Sequence, residues 1–458
     1  MLKSLRKVSQ AVTLLLPVAI VVVAGCLATP VSAQQVVRID PSAAKVDAET
    51  QGKIIDTVCK ALEDIYVFPD VAKKMEDLIR KQYKNKAYQN LTGYMEFTTK
   101  LTEDLRSISH DGHLWVRYNP DANLRLMEED SMTTEQHQQL LEQMAHNNYG
   151  WYKLERLPGN IGYADFRNFR DAEYAGPTAI AAMNFLANCD AVIFDLRQNG
   201  GGSPSMIQLI TSYFVGPEVH LNSFYIRRTD SIQQFWTLPY VPGPQMRDVD
   251  LYVLTSSYTF SAAEEFTYNL KNLKRATIVG ETTGGGAHPL DILNYPELKV
   301  SIGVPYGRAI NPISGTNWEG TGVEPDIKTT AEQALDAAQL DALTKLAAKE
   351  TDPGRKTQLE WAREEINAKL HPTTLTTEEM SEYVGTYGPR VIRIEDGQLM
   401  YQRGDGPKKK LIALGDDRFM LEDTPYFRLQ FKRDDSGRVI EVEGQYDDGH
   451  MDAHKRNQ

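Results

Sequence analysis

The stretch Tyr258-Thr259-Phe260-Ser261-Ala262-Ala263-Glu264-Glu265-Phe266 sets a serine where an apolar strand gives way to a helix. Two kinds of chemistry fit that place. Ser-x-x-Glu is a capping box, in which the Ser261 oxygen accepts the Glu264 amide proton and the glutamate reaches back to the serine N–H. A serine at a helix N-terminus is also well placed for nucleophilic attack. There the next N–H group and the positive end of the helix stabilise an alkoxide or a tetrahedral oxyanion. Such a nucleophile needs a base, and the base an acidic partner. Among nine histidines, two stand out. His113 lies in the polar run Ser109-His110-Asp111-Gly112-His113, and His288 follows the glycine run Gly284-Gly285-Gly286-Ala287. Glu319, in Trp318-Glu319-Gly320-Thr321-Gly322, is the candidate acidic partner. The ordinary alternatives are a structural or solvated histidine and an exposed loop carboxylate.

A second glycine run, Asn199-Gly200-Gly201-Gly202, follows the apolar segment Ala191 to Leu196. It is not GxGxxG, and no Gly-Lys-Ser/Thr is present for a phosphate cradle. Bare backbone N–H groups aimed at an oxyanion are one use for such a run; a tight strand-to-helix turn is the other.

The elements that must hold these residues follow from periodicity. From Val46 to Tyr83, Ile54, Val58, Leu62 and Ile65 and then Val71, Met75, Leu78 and Ile79 recur at helical spacing, with a break at Phe68-Pro69-Asp70. Helices are also expected over Phe97 to Leu105 and Thr133 to His146. From Asn160 the pattern changes to strands at Ile161–Phe166, Ala191–Leu196, Leu251–Leu254 and Ala276–Gly280. Helices alternate with them at Thr178–Leu186, Pro204–Phe214 and after Ser261, which predicts α/β layering on a largely parallel sheet. Ala331 to Leu370 reads as a weakly apolar helical bridge. Beyond Glu382, short strands separated by Asp-Gly turns predict a small antiparallel barrel or sandwich.

The expected multidomain α/β organisation is a helical domain over 46–115, a core over 116–330, a helical linker over 331–372 and a β-domain over 373–458. At 458 residues the chain exceeds a single core. Fifty basic against 62 acidic side chains give a net charge of −12, which speaks against a nucleic-acid partner. Lys3, Arg6 and Lys7 precede an apolar run from Ala11 to Ala24 that contains Pro17, and Val31-Ser32-Ala33 is a small-residue cleavage site. A secretory signal over 1–33 is predicted in preference to a membrane anchor. Val23-Ala24-Gly25-Cys26 resembles a bacterial lipobox, so release after Ala33 and lipid anchoring through Cys26 both stand. Either route places the mature protein outside the cytoplasm, whether periplasmic, extracellular or anchored in the envelope. Cys59 and Cys189 lie in apolar segments and are expected to be buried free thiols. No cofactor or metal is called for by the cysteine and histidine spacing.

Several segments in order resemble the tail-specific, or C-terminal-processing, serine protease family. They are Asp195-Leu196-Arg197-Gln198-Asn199-Gly200-Gly201-Gly202, Thr259-Phe260-Ser261-Ala262-Ala263-Glu264 and Gly280-Glu281-Thr282-Thr283-Gly284-Gly285. Asn160-Ile161-Gly162-Tyr163 and Gly322-Val323-Glu324-Pro325-Asp326 extend the likeness, which covers roughly residues 50 to 330. The resemblance implies a ClpP/crotonase-like α/β protease core and a C-terminal β-barrel like those appended to other secreted hydrolases. The position of the lysine in the family's serine–lysine dyad is Gly286 here. The chain therefore is more similar to the branch of the tricorn core and the interphotoreceptor retinoid-binding protein repeats. That likeness implies Ser261 as nucleophile, His113 as base and Glu319 as the downstream carboxylate, with Gly112 where tricorn has a flanking serine. The N–H groups of Gly201 and Ala262 are the expected oxyanion donors, and His288 is the second candidate for base or a substrate contact. Some 40 residues between Val116 and Asn160 are too few for a PDZ domain. The implied activity is peptide-bond hydrolysis through an acyl-enzyme, with a peptide or protein as partner. The alternative is a non-catalytic carrier of hydrophobic ligands on the same scaffold.

Overall fold

The computed structural model describes residues 44–120 and 133–457. The signal and lipobox readings, Cys26 included, lie outside the described residues.

Helices α1 (Ala48–Ile65), α2 (Pro69–Lys84) and α3 (Tyr94–Ser109) form the N-terminal layer, followed by strand β1 (Trp115–Tyr118) and helix α4 (Thr134–His146). Asp47 caps α1 through the Thr50 N–H at 2.7 Å, and Pro69 opens α2, where its missing N–H costs nothing. The core elements follow in chain order: β2 (Trp151–Leu157), β3 (Ile161–Phe166), α5 (Ala172–Leu186), β4 (Ala191–Asp195), α6 (Pro204–Phe214), β5 (His220–Ile226) and β6 (Ser231–Trp236). Next come β7 (Asp250–Thr255), α7 (Ala262–Asn272), β8 (Ala276–Gly280), β9 (Leu290–Tyr295), β10 (Val300–Pro305), β11 (Gly307–Ile310) and β12 (Ile327–Lys328).

The main sheet has the order β12-β8-β7-β4-β3-β2 and is parallel except for the β2–β3 pair. Side chains alternate across it as the pleat requires. Phe166, Phe194 and Val253 join α5, α6 and α7 in one core, while Tyr163, Ile193, Tyr252 and Leu254 face the other way. That second face is covered by α8 (Ala334–Lys349) and the start of α9 (Pro353–Leu370). The weakly apolar segment read as a bridge thus covers the sheet. Ala334, Ala338 and Ala342 are small enough to bring the helix close, and Leu343 is completely buried between them and the strands. Helix α5 begins six residues before the expected Thr178, capped by Asp171 and carrying Pro177 inside.

The N-terminal helices bury their apolar faces against a sheet of order β1-β10-β9, whose β9–β10 hairpin comes from the far end of the core. Trp115 pairs with Gly303, and the Val67 N–H donates to the Pro305 carbonyl at 2.9 Å. A further sheet, β11-β5-β6, flanks the core. Cys59 and Cys189 are buried free thiols.

After α10 (Thr377–Tyr383) come β13 (Gly385–Tyr387), β14 (Arg390–Glu395), β15 (Gln398–Arg403), β16 (Lys409–Gly415), β17 (Arg418–Leu421), β18 (Thr424–Arg433), β19 (Val439–Tyr446) and β20 (Met451–Lys455). They pair antiparallel in sequence order. A Tyr387–Arg456 bridge and the Asn457 N–H to Thr386 carbonyl bond of 2.8 Å bring the first strand back to the last, closing a barrel. Closure removes the open edges a small sheet would otherwise expose. Its interior is filled by Tyr387, Phe419, Phe427 and Phe431 among others. Among the described residues no helix is long and apolar enough to cross a membrane.

If α8 is a cover and not a tether, Leu343→Ala should destabilise the whole core by about 2–5 kcal/mol. Thermal denaturation checks this: the core transition is expected to fall by several degrees, and an unchanged midpoint would show α8 to be loosely attached.

Candidate active site

Ser261 sits between β7 and α7, at the end of the loop Ser256–Phe260. Its backbone is unusual for a residue with a side chain, at φ 56° and ψ −122°. Conformations of that kind cost on the order of 1–3 kcal/mol and persist only where the surroundings impose them. Here Glu264 imposes it. Its Oε2 accepts the Ser261 N–H at 2.9 Å and the Gly286 N–H at 2.8 Å. Its Oε1 accepts the Gly285 N–H at 2.7 Å and the Thr283 hydroxyl at 2.5 Å. The glutamate half of the capping box is therefore formed, and the same carboxylate clamps the glycine loop against the serine. Burial pushes the Glu264 carboxyl up to about 7, against the pull of the four donors.

Four donors on two oxygens can be satisfied only by an ionised, acceptor-only carboxylate.

His113 is buried against the ring of Phe260, with centroids 4.7 Å apart. Its backbone N–H donates to Asp111 Oδ1 at 3.0 Å, and its Nδ1 is buried without a partner. Burial pulls its pKa down to about 4, so the imidazole is neutral at pH 7, the form in which it can take a proton. A Cβ at Gly286 would lie 2.2 Å from Phe260 Cζ and 2.7 Å from His113 Cε1. The volume into which a lysine at that position would project is thus already filled by the histidine and its supporting ring.

His288 Nδ1 donates to Oδ2 of the fully buried Asp111 at 2.7 Å, and the Tyr66 hydroxyl donates to the same oxygen at 3.2 Å. Glu319 accepts the Gly112 N–H at 3.2 Å through Oε1 and the Ala287 N–H at 2.5 Å through Oε2. Its Oε2 lies 3.6 Å from His288 Nδ1. Burial, and then the neighbouring Asp111, raise the pKa of Glu319. Glu319 is no ordinary solvated loop carboxylate, since it pins the His113 loop to the glycine loop. The Gly112 backbone supplies the contact at the place where the resemblance implied a serine side chain. One ligand atom each from Asp111, His113 and Glu319 fall within 4.8 Å of one another, a set that could hold a cation.

The N–H of Gly201, an expected oxyanion donor, donates to Asn199 Oδ1 at 2.9 Å. Gly202 lines the cleft. Phe169 bonds the Gly201 carbonyl and the Ser203 N–H, as in a parallel bridge opposite Gly202, so the Gly202 N–H points the other way. Only glycine fits there, at φ +145° with a Cβ that would fall 2.1 Å from the Phe169 oxygen. The Ala262 N–H, at the first position of α7, belongs to the orphan donors of a helix start.

Ser261, Ala262, Gly202, His113, Gly286 and His288 line one cleft of about 490 Å³. All the expected side chains converge except Glu319, which stands behind the histidines. Asp111 and Glu264 were missed. Asp111 could have been found from its place two residues before His113, a short step for a carboxylate bonding back to the backbone. For Glu264 the capping box was legible, but its bonds to residues 283–286 were not.

The comparisons agree with this architecture. Residues 160–329 match the family model described as peptidase family S41, and residues 47–148 match the N-terminal domain of peptidase S41 in eukaryotic IRBP. Together they cover more than half of the chain, which belongs to peptidase family S41, a family of serine peptidases. Among solved structures, a lipoprotein from Streptococcus agalactiae is 15% identical over 66% of this chain and 98% of its own, with a TM-score of 0.43. A protein from Parabacteroides merdae is 17% identical over 67% and 100%, with a TM-score of 0.46. The photosystem II D1 C-terminal processing protease is 15% identical over 62% and 93%, with a TM-score of 0.39.

Replacing Glu264 by glutamine would turn two N–H donors toward a set of donors. The Ser261 turn and the glycine loop should then relax, with a loss of roughly a hundredfold or more in reactivity at Ser261, as sub-ångström misplacement commonly brings. Phosphonate labelling rates of Glu264→Gln, with circular dichroism as the fold control, measure this. An unchanged rate would leave Glu264 a mere helix cap.

Proposed function

We propose that the protein is an exported serine peptidase that hydrolyses peptide bonds through an acyl-enzyme on Ser261. The observation that carries the reading is the convergence on one cleft of a backbone-strained serine at a helix start and a buried, neutral histidine. Proton transfer from the Ser261 hydroxyl to His113 accompanies attack on the substrate carbonyl carbon. The tetrahedral oxyanion is held by the N–H groups of Ala262 and Gly202, the latter in place of Gly201. Collapse expels the amine, which receives the proton from His113. Water, deprotonated by the same histidine, then releases the acid and restores the serine. The imidazolium formed on the way is disfavoured by burial and favoured by Asp111, the first charge acting on it. Asp111 and Glu319 are thus the carboxylates that support the base, Glu319 also by joining the two loops. Export rests on the leader read over residues 1–33, with release after Ala33 and anchoring at Cys26 both open. The partner is a peptide or protein.

A second assignment of the base is favoured by one distance. His288, 2.7 Å from Asp111, has the better-formed carboxylate partner and lines the same cleft. Fluorophosphonate labelling of the mature protein beside Ser261→Ala, His113→Ala and His288→Ala separates the cases, with mass spectrometry locating the adduct. Labelling at Ser261 that collapses in His113→Ala and persists in His288→Ala is expected. The reverse pattern moves the base to His288. No labelling of a folded sample returns the protein to the carrier reading, with Ser261 left as a helix cap.

The pH profile gives an independent check. Because burial lowers the His113 pKa from 6.5 to about 4, the base is lost only as the pH falls through that lower value. Because the activity limb also follows the Glu264 carboxyl, pushed up to about 7, the His113 ring is followed directly by NMR and should stay a neutral imidazole far below the free-imidazole range. A His113 midpoint at or above 6.5 would contradict His113 as a buried neutral base.

A further inference from the structure

Glu265 follows the clamping glutamate and does something else. It lies four residues after Ser261, within the first turn and a half of α7. It is only 3% exposed, yet it lines the cleft that holds Ser261. The walls beside it are apolar: Phe224 and Phe235 meet edge to face at 5.3 Å, and Trp318 and Ala287 belong to the same cluster. Asn222 stands opposite Phe235 in the β5–β6 register and two residues before Phe224, on the cleft side of that ribbon. Asn222 is completely buried; its amide is turned toward Glu265 and favours the ionised carboxylate, while its Oδ1 has no donor. Asn269, a further turn along α7, also favours the ionised Glu265 through its amide, and its Oδ1 accepts from Asn311 at 3.2 Å.

This is a polar end to an apolar slot, and it is short of one sign of charge. Among the described residues lining the cleft none is lysine or arginine, while Asp171 adds a second carboxylate, held by the Ser203 and Ser205 hydroxyls. A carboxylate enclosed without a cation is costly, and burial pushes the Glu265 carboxyl up to about 7.

We propose that this slot is the subsite for the substrate residue on the amino side of the scissile bond, and that it takes lysine or arginine. The proposal rests on Ser261 being the nucleophile only for the direction in which the substrate lies. The aliphatic stem of the incoming side chain runs along Phe224 and Phe235, as long cationic side chains cover apolar surface elsewhere. Its charged head meets Glu265, and Asn222 Oδ1 accepts one of its N–H groups. An apolar side chain of the same length fills the slot but leaves the Glu265 carboxylate without a cation and Asn222 Oδ1 without a donor. Sites built of buried polar groups reject such analogues strongly. An acidic side chain meets two carboxylates.

The test uses two peptidyl diphenyl phosphonates that differ only at the side-chain terminus, one lysyl and one norleucyl, with a neutral fluorophosphonate as control. In the wild-type protein at mildly alkaline pH, the lysyl probe should inactivate faster by roughly tenfold or more, the scale of a hydrogen bond to a charged group. Glu265→Gln should abolish that advantage while the neutral control still labels Ser261. Lowering the pH through about 7 should shrink it in the wild type, since the carboxylate is then protonated. Equal or faster reaction of the norleucyl probe in the wild type overturns the proposal, as does an advantage that survives in Glu265→Gln. If Glu265→Gln does not fold, the wild-type pH series decides: a lysyl advantage that stays flat from about pH 5.5 to about pH 8.5 overturns it. The matched lysyl and norleucyl peptide amides, titrated calorimetrically into Ser261→Ala, read the slot without catalysis. A lysyl preference there with no labelling by any phosphonate keeps the slot and removes the nucleophile. Neutral labelling with no lysyl preference does the opposite.

Discussion

The architecture of the site depends on one buried carboxylate. Glu264 gathers the N–H groups of Ser261, Gly285 and Gly286 and the hydroxyl of Thr283 onto two oxygens. Without it, a serine at φ 56° and a glycine-rich loop would each have easier conformations to adopt. The bonds fix the turn that presents Ser261 and hold Gly286 where His113 fits against it. Thr283 continues the clamp, since its Oγ also accepts the Val323 N–H at 2.7 Å and so ties in the segment that carries Trp318 and Glu319.

The histidine side of the site is held from outside the sheet. His113 belongs to the N-terminal layer, and that layer reaches the core by pairing β1 with β10 and packing α1 to α3 on the β9–β10 hairpin. The hairpin begins two residues after His288, at Leu290. Pairing the strands therefore brings Asp111 to His288, residues 177 apart in the chain, and sets Glu319 across both loops. Histidines, carboxylates and helical layer form one unit, in which a shift of the N-terminal helices moves His113 relative to Ser261.

Glu264 and Glu265 show how adjacent residues of one type diverge. Both are buried and both are pushed up to about 7. One points at four donors and serves as a structural tie; the other points into a cleft with no cation on its walls. Helical geometry is the cause, because successive side chains are turned about 100° apart, so that one faces the glycine loop and the next the cleft.

What the sequence determined by itself was local and periodic. The boundaries of β3, α6 and β8 and the start of α7 follow from apolar runs bounded by caps and turn residues, and the Asp-Gly turns announce an antiparallel barrel. Motif order was enough to single out Ser261, His113 and Glu319 as candidates, because short spacing within a segment survives whatever the rest of the chain does. Only the tertiary structure decided which donors Glu264 would meet and that the Gly201 N–H would be held by Asn199. It also decided that α8, with its alanines, would cover a sheet, and that the β9–β10 hairpin would complete the N-terminal layer. Those outcomes depend on contacts between residues tens to hundreds of positions apart. A hydrogen bond from Gly201 to Asn199, or a carboxylate shared by Tyr66 and His288, leaves no periodic trace in the chain. It exists only once packing has removed the water that would otherwise have satisfied the same groups.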